Sequence, residues 1–294
     1  MKKQVICLIG PTAVGKTELA IALAKEFNTE IISCDSRQIY KELRLGTAVP
    51  DIKQLEAIKH HFIASSSIHQ YYSVYQYELD ALQKAKELFK KHDQIVLTGG
   101  SGLYLDAFLF GMDDIPDPDP EIRIDLETRL LKEGLESLRF DLKRLDPEYY
   151  EQVDLRNPKR VMRGLEVCLT TGQSFTKFRI RSTQKRPFSH QIVCLDRERS
   201  ILHTRINERV DQMLEAGLEN EAKSLFTLRH LNALKTVGYR EFFEAFEGKY
   251  SIEKAIELIK RNTRRYARRQ ITWNKRYTDA KWFDANDSAD LLSW

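Results

Sequence analysis

Short apolar runs alternate with amphipathic stretches through the first third of the chain. Positions 4–9 read QVICLI, and the pattern returns as EIISC at 30–34 and QIVLT at 94–98. Apolar runs of this length, bounded by turn formers, read as buried strands. Between the first two, Leu19, Leu23 and Phe27 recur at every fourth position, giving a helix over 16–27 one face to lay on a sheet. A longer helical stretch follows around 75–91. Strands alternating with helices predict a parallel sheet with crossover helices. Near residue 113 the rhythm changes. The Asp- and Pro-rich GMDDIPDPDPEIR opens into helical patterns only, with Asp119 as N-cap, Pro120 at the first helical position, and Ile122, Leu126 and Leu130 on one face. A second helix start at Asn157 and Pro158 leads into KRVMRGLEVCLTTG, which Gly172 ends. The strand-like HQIVCL at 190–195 then returns the chain to the sheet. The fold class is therefore α/β: a parallel-sheet core over 1–112 and 190–294, with an all-helical insertion at 113–189.

Composition narrows the class. With 294 residues, 42% of them hydrophobic and 31% charged, the chain falls in the soluble globular range. No apolar run reaches membrane-spanning length, so no membrane partner is expected. The opening MKKQVICLIGP ends its apolar run at Gly10 without a small-residue cleavage site, and so reads as a buried strand and not as a signal peptide. Cys7, Cys34, Cys168 and Cys194 are too widely spaced for a zinc or redox motif and fit a reduced, cytoplasmic setting. His60 and His61 are adjacent, and neighbouring side chains on a strand or helix point apart, which argues against a shared metal.

Charge changes the picture more. The net charge is only +4, yet positions 254–276 hold nine basic residues against one acid, Glu257. Arg261, Arg264, Arg265 and Arg268 follow the spacing of one helix face, with Tyr266 and Trp273 interleaved. A basic face carrying aromatics suits phosphates and bases of a nucleic acid.

The segment LIGPTAVGKTELA fits G-x-x-x-x-G-K-[ST] and sits between a predicted strand and a predicted helix. In such a P-loop, backbone amides converge on an anion, here those around Ala13 to Thr17, while Lys16 adds a point charge and the Thr17 hydroxyl reaches Mg²⁺. The pattern alone is that of nucleotide-binding proteins, ATP-binding ones included. An ATPase or GTPase also needs an apolar strand ending in a magnesium-binding acid. QIVLTGGSG ends instead in Thr98, glycines and Ser101. Asp35 does end a strand, and strand ends border the ligand crevice of a parallel sheet. It serves there either as a magnesium acid or as a base facing an acceptor, and Asp-Ser is also an ordinary turn. Tyr71, Tyr72, Tyr75 and Tyr77 read as core or helix-surface aromatics, or as walls of a ligand pocket.

Taken together, GPTAVGKT, DSRQIY, GTAVP, HHFI, TGGSGLYLDAFLFG, NPKRVMRGLEV, LHTRINERVDQMLEAGLENE, VGYRE and RRYARRQITW resemble the tRNA dimethylallyltransferases, in the family's order from Gly10 to about Trp273. The resemblance implies transfer of a dimethylallyl group from its diphosphate to the exocyclic amine of the adenosine at tRNA position 37, just 3′ of the anticodon, by a monomer that uses Mg²⁺. It implies that Gly10, Pro11, Thr12, Ala13, Val14, Gly15, Lys16 and Thr17 hold the diphosphate of an allylic donor, with Arg209 of RINER as a further contact and Thr17 as metal ligand. It implies Asp35 as general base, with Ser101 in the place where the family usually has threonine. Asp35, Ser36, Arg37 and Gln38 match the segment that meets the target base of the anticodon stem-loop. Ser101 and Arg123 match single tRNA contacts. Lys159, Arg160, Val161, Met162 and Arg163 match one tRNA-contacting stretch, Lys235, Gly238, Tyr239 and Arg240 fall in a second, and Arg268, Arg269, Gln270 and Trp273 in a third. Arg37 replaces a common methionine and Val49 a common lysine. A small-molecule or nucleotide kinase and an RNA-binding adapter remain the rival readings.

Overall fold

The computed structural model describes residues 3–180 and 183–286. Contacts divide the chain into two units, one of residues 1–109 and 185–294, the other Phe110–Gln184.

The first unit starts with β1 (Gln4–Ile9), α1 (Lys16–Glu26), β2 (Ile31–Ser33), α2 (Ile52–Ala57), β3 (His60–His61), α3 (Val74–Leu88), β4 (Gln94–Thr98) and α4 (Gly102–Phe110). The second unit holds α5 (Pro120–Glu133), α6 (Leu135–Leu145), α7 (Pro147–Gln152) and α8 (Pro158–Thr171). Back in the first unit come β5 (Ser189–Asp196), α9 (Arg199–Glu215), α10 (Leu218–Ser224), α11 (Tyr239–Phe246), α12 (Ile252–Asn274) and β6 (Lys281–Asp284).

The six strands form one sheet in the order β3-β2-β4-β1-β5-β6, parallel throughout. Central strands of such a sheet are covered on both faces and tolerate few polar side chains. Val5, Leu8, Ile95, Val96, Leu97 and Ile31 are accordingly buried. Leu19 and Leu23 of α1 pack with Leu202 and Ile206 of α9 and Ala267 of α12 in one core cluster. Burying each such leucine or isoleucine contributes ~1.5–3 kcal/mol. A second cluster joins Ile39 and Leu43, after β2, to Tyr239, Phe242 and Ile259. The edge strands β3 and β6 hold two and four residues. His61 on β3 bonds Glu30 through Nε2 at 2.6 Å.

The second unit is helical with its own core, centred on Leu126, Leu138, Leu142, Val161 and Leu165. Asp119 caps α5 by accepting from Glu121 N at 2.8 Å, ahead of Pro120. Asn157 caps α8 ahead of Pro158, and Gly172 closes that helix. The unit's ends adjoin, since Gln184 N donates to Phe110 O at 2.7 Å.

Candidate active site

The loop between β1 and α1 is bent by residues of positive φ, Gly10 at 150° among them. Gly15, with φ of 116°, precedes α1, and Ala13 has φ of 65°. A side chain at positive φ costs on the order of 1–3 kcal/mol and persists only where surroundings enforce it. Here Arg205 Nε donates to Ala13 O at 2.9 Å and Arg197 Nη2 to Val14 O at 3.3 Å. Lys16 Nζ folds back to donate to Gly10 O at 3.0 Å and Pro11 O at 2.8 Å. Burial, and then the nearby positive charge of Arg209, push the Lys16 ammonium down to about 8, while Asp35 works in the opposite direction. Burial likewise lowers Arg209, opposed by Glu18. Arg209 makes no hydrogen bond or ion pair among the described residues. Two desolvated cations that repel each other beside a loop opening a helix form a site that favours an anion.

Asp35 follows β2 across the sheet edge from that loop. Its Oδ1 accepts from Arg37 N at 2.9 Å and Gln38 N at 3.2 Å, so one carboxylate oxygen builds the turn. Oδ2 lies beside Gly100, where a Cβ would come within 2.9 Å of it and 2.8 Å of Gln270 Nε2. A Cβ there would push these side-chain ends away from the turn. Ser101 Oγ accepts from Ser36 N at 2.9 Å and donates to Ser36 Oγ at the same distance. Its hydroxyl thus ties the turn after β2 to the turn after β4, and in this arrangement it steadies the Asp35 turn. The Tyr266 hydroxyl and Gln270 Nε2 both donate to Gly100 O, at 3.1 and 2.9 Å. Thr12 N donates to Gln270 Oε1 at 2.8 Å. Thr12 lies in the stretch expected to hold the diphosphate, but its amide is already engaged by Gln270.

Several positions matched to tRNA contacts turn out to be engaged internally. Arg37 Nη1 donates to Asn232 O and Ala233 O at 3.3 Å, and Gln38 Nε2 to Thr47 O and Ala48 O. Tyr239 is fully buried, its hydroxyl donating to Glu221 at 2.5 Å and its ring filling the space beside Gly46. Gln270 is buried with both amide atoms paired, and Trp273 packs against Gly102 while donating to the Tyr277 hydroxyl at 3.3 Å. Tyr239 and Gln270 therefore offer no free side chain to a nucleic acid. Gly238 is buried as well, and its N–H donates to Glu241. Exposed are Arg265, Arg268 and Arg269 along α12 and Lys235 before α11, with Arg240 on α11 exposed while donating to Glu241 at 2.9 Å. Arg265 and Arg268 have no partner among the described residues, whereas Arg264 donates to Asn207 at 2.6 Å.

In the second unit Lys159 and Arg160 are exposed. Val161 and Met162 are core residues, removed from solvent by the amphipathic packing of α8. Arg123 grips the buried Glu166 through two bonds of 2.6 and 2.9 Å, and Arg163 donates to Pro116 O at 2.8 Å.

Sequence reading missed Arg197, Arg205 and Glu221. The Glu221 carboxylate accepts from the amides of Arg44, Leu45 and Gly46 and so pins the GTAVP loop. These pairs span some 175–192 positions, and no local pattern signals them. Among the described residues no group of three His, Cys, Asp or Glu is placed to hold a metal. Thr17, on the first turn of α1, makes no hydrogen bond with its hydroxyl. That single oxygen fits a magnesium ion carried mainly by a diphosphate and water. No helix is long and apolar enough to cross a membrane among the described residues.

A model of the family described as IPP transferase matches residues 38–277. The chain is 48% identical to a tRNA dimethylallyltransferase of Flavobacterium johnsoniae, covering 99% of this chain and 97% of that one. It is 47% identical to tRNA dimethylallyltransferase 1 of Bacteroides fragilis, over 99% and 97% of the two chains. Among solved structures, the full-length tRNA isopentenylpyrophosphate transferase of Bacillus halodurans is similar with a TM-score of 0.72 at 33% identity, covering 99% and 95% of the chains. A eukaryotic dimethylallyltransferase acting on tRNA is similar with a TM-score of 0.75 at 26% identity, over 96% of this chain and 74% of that one.

Proposed function

The chain belongs to the IPP transferase family, and on that premise we propose how it acts as a tRNA dimethylallyltransferase. The donor is dimethylallyl diphosphate and the acceptor is the exocyclic amine of the adenosine at position 37 in the anticodon stem-loop. The observation that carries this reading is the pair of desolvated cations beside the loop, Lys16 and Arg209, the first of them also feeling the Asp35 carboxylate. An anion that leaves from carbon needs such fixed charge where negative charge develops. A base on the other side needs one free carboxylate oxygen, as Asp35 Oδ2 supplies.

In the reaction, the bond between the donor's C1 and its diphosphate oxygen breaks and a bond from C1 to the adenine nitrogen forms. Diphosphate leaves against Lys16, Arg209 and the amides of Ala13 to Thr17. The nitrogen's proton passes to Asp35, whose turn Ser101 holds. Thr17 would offer its hydroxyl to a magnesium ion, which would supply neutralising charge to the leaving group. The target base must be turned out of its stack, which costs a few kcal/mol and is easiest in a single-stranded loop. The exposed Arg265, Arg268, Arg269, Lys235 and Arg240, and Lys159 and Arg160 of the second unit, supply phosphate contacts. Arg123 and Arg163 reach tRNA only beside their internal pairs. The enzyme works as a cytoplasmic monomer.

The test is transfer of label from radiolabelled dimethylallyl diphosphate to an anticodon stem-loop RNA. Label in the adenosine supports the reading. ADP formed from ATP with no prenylated RNA would replace it with a kinase.

A further inference from the structure

α12 carries exposed arginines on one side and, on the other, a single side chain that joins two walls of the site. Gln270 Oε1 accepts from Thr12 N in the phosphate loop at 2.8 Å, and its Nε2 donates to Gly100 O after β4 at 2.9 Å. The loop follows β1 and the Gly100 turn follows β4, neighbouring strands of the sheet. Among the described residues no backbone hydrogen bond joins the two turns beyond those strand ends. Gly100 in turn lies against the Asp35 carboxylate, because a Cβ there would lie 2.9 Å from Asp35 Oδ2, and Gly99 packs on the backbone, where a Cβ would lie 2.8 Å from Asp35 N. The amide orientation is fixed by chemistry, since only its oxygen accepts from an N–H and only its nitrogen donates to a carbonyl. Buried and paired at both ends, this group is costly to disturb.

We propose that Gln270 is a positioning residue that sets the spacing between the leaving-group cradle and the Asp35 base, and that it does not bind tRNA. The inference rests on the transfer reaction proposed above and deepens it. The two walls must hold the donor's C1 and the adenine nitrogen in one line of attack, where an error of ~1 Å costs on the order of 10²-fold in rate. Gln270→Met keeps the volume and removes both hydrogen bonds. Gln270→Glu keeps the acceptor for Thr12 N and loses the donor to Gly100 O.

The experiment measures single-turnover transfer of labelled dimethylallyl groups into the stem-loop RNA at saturating substrates, per folded site. RNA affinity by filter binding and thermal unfolding are measured alongside. Both variants should transfer about 10²-fold more slowly, with RNA affinity within about three-fold of the parent. The donor's KM should rise more in Gln270→Met than in Gln270→Glu, because only the former frees Thr12. A parental rate per folded site, with merely a lowered Tm, would reduce Gln270 to a structural role and overturn the proposal. So would a loss confined to RNA affinity. Should Gln270→Met not fold, the isosteric Gln270→Glu decides on the same rate criterion. A parent that transfers nothing would sink the underlying reaction instead, so the two failures are distinct.

Discussion

Burial and the neighbouring Arg209 push Lys16 down to about 8, so the free site stays charged at neutral pH and loses that proton just above it. A bound diphosphate stabilises the charged form, which raises the ammonium's pKa in the complex and couples binding to protonation. Below pH 8 the free site is already protonated and affinity is flat. Above it, each binding event must take up a proton, so the donor's KM should climb toward tenfold per pH unit between about 8 and 9.5. Lys16→Gln should give a high, flat KM over that range, and a parent profile without the rise would contradict the charge pairing. Asp35 acts at a different step. Asp35→Asn keeps an oxygen for the turn bonds to Arg37 N and Gln38 N but cannot take a proton. Single-turnover transfer should fall by ~10²–10⁴-fold with RNA affinity nearly unchanged. An undiminished rate would assign the proton to another group.

α12 shows how one element divides its work. Ala267, Gln270 and Asn274 face inward, while Arg265 and Arg268 remain exposed and unpartnered among the described residues. Replacing both by Ala should flatten the salt dependence of RNA binding, each lost single-strand phosphate contact contributing ~0.7 to the slope of log K against log salt. An unaltered slope would leave that face without a nucleic-acid role. The arginine spacing was legible because helical periodicity is local, and so were the four strands whose apolar runs fill the middle of the sheet. β3 and β6 were not. His60 and His61 are too few to show alternation, and KWFD buries only Phe283 in part, so hydrophobicity says little at a sheet edge. The phosphate loop, Asp35 and the N-caps at Asp119 and Asn157 were readable because each motif lies within a few residues. What holds the site together was not: Gln270 meets Thr12 across 258 positions, and Arg205 meets Ala13 across 192. The buried Tyr239, Val161 and Met162 lie within stretches that the family resemblance assigns to tRNA, and a match along a stretch does not distinguish the side chains that face out from those that pack in.

Each of the two units carries its own core, and the phosphate loop, Lys16, Arg209, Asp35 and Gln270 all belong to the unit of residues 1–109 and 185–294. The inserted segment leaves and returns at one place, where Gln184 N meets Phe110 O. Just outside it, Arg186 is anchored within the first unit by Phe108 O and by the buried Glu78 at 2.7 Å. Removing one partner of a buried pair of this kind costs ~3–5 kcal/mol, so the junction should hold its place when the insertion is cut away. A chain in which a short Gly-Ser linker replaces residues 110–184 should therefore fold and keep its anion site. Magnesium diphosphate at 100 times its Kd stabilises a native state by ~2.7 kcal/mol, and the rise in Tm should appear in the shortened chain as in the full one. RNA affinity should fall in the same variant, because the exposed Lys159 and Arg160 go with the insertion. A shortened chain that folds but shows no diphosphate-dependent rise would mean that the anion site needs the second unit, contrary to the placement of every cation assigned to it.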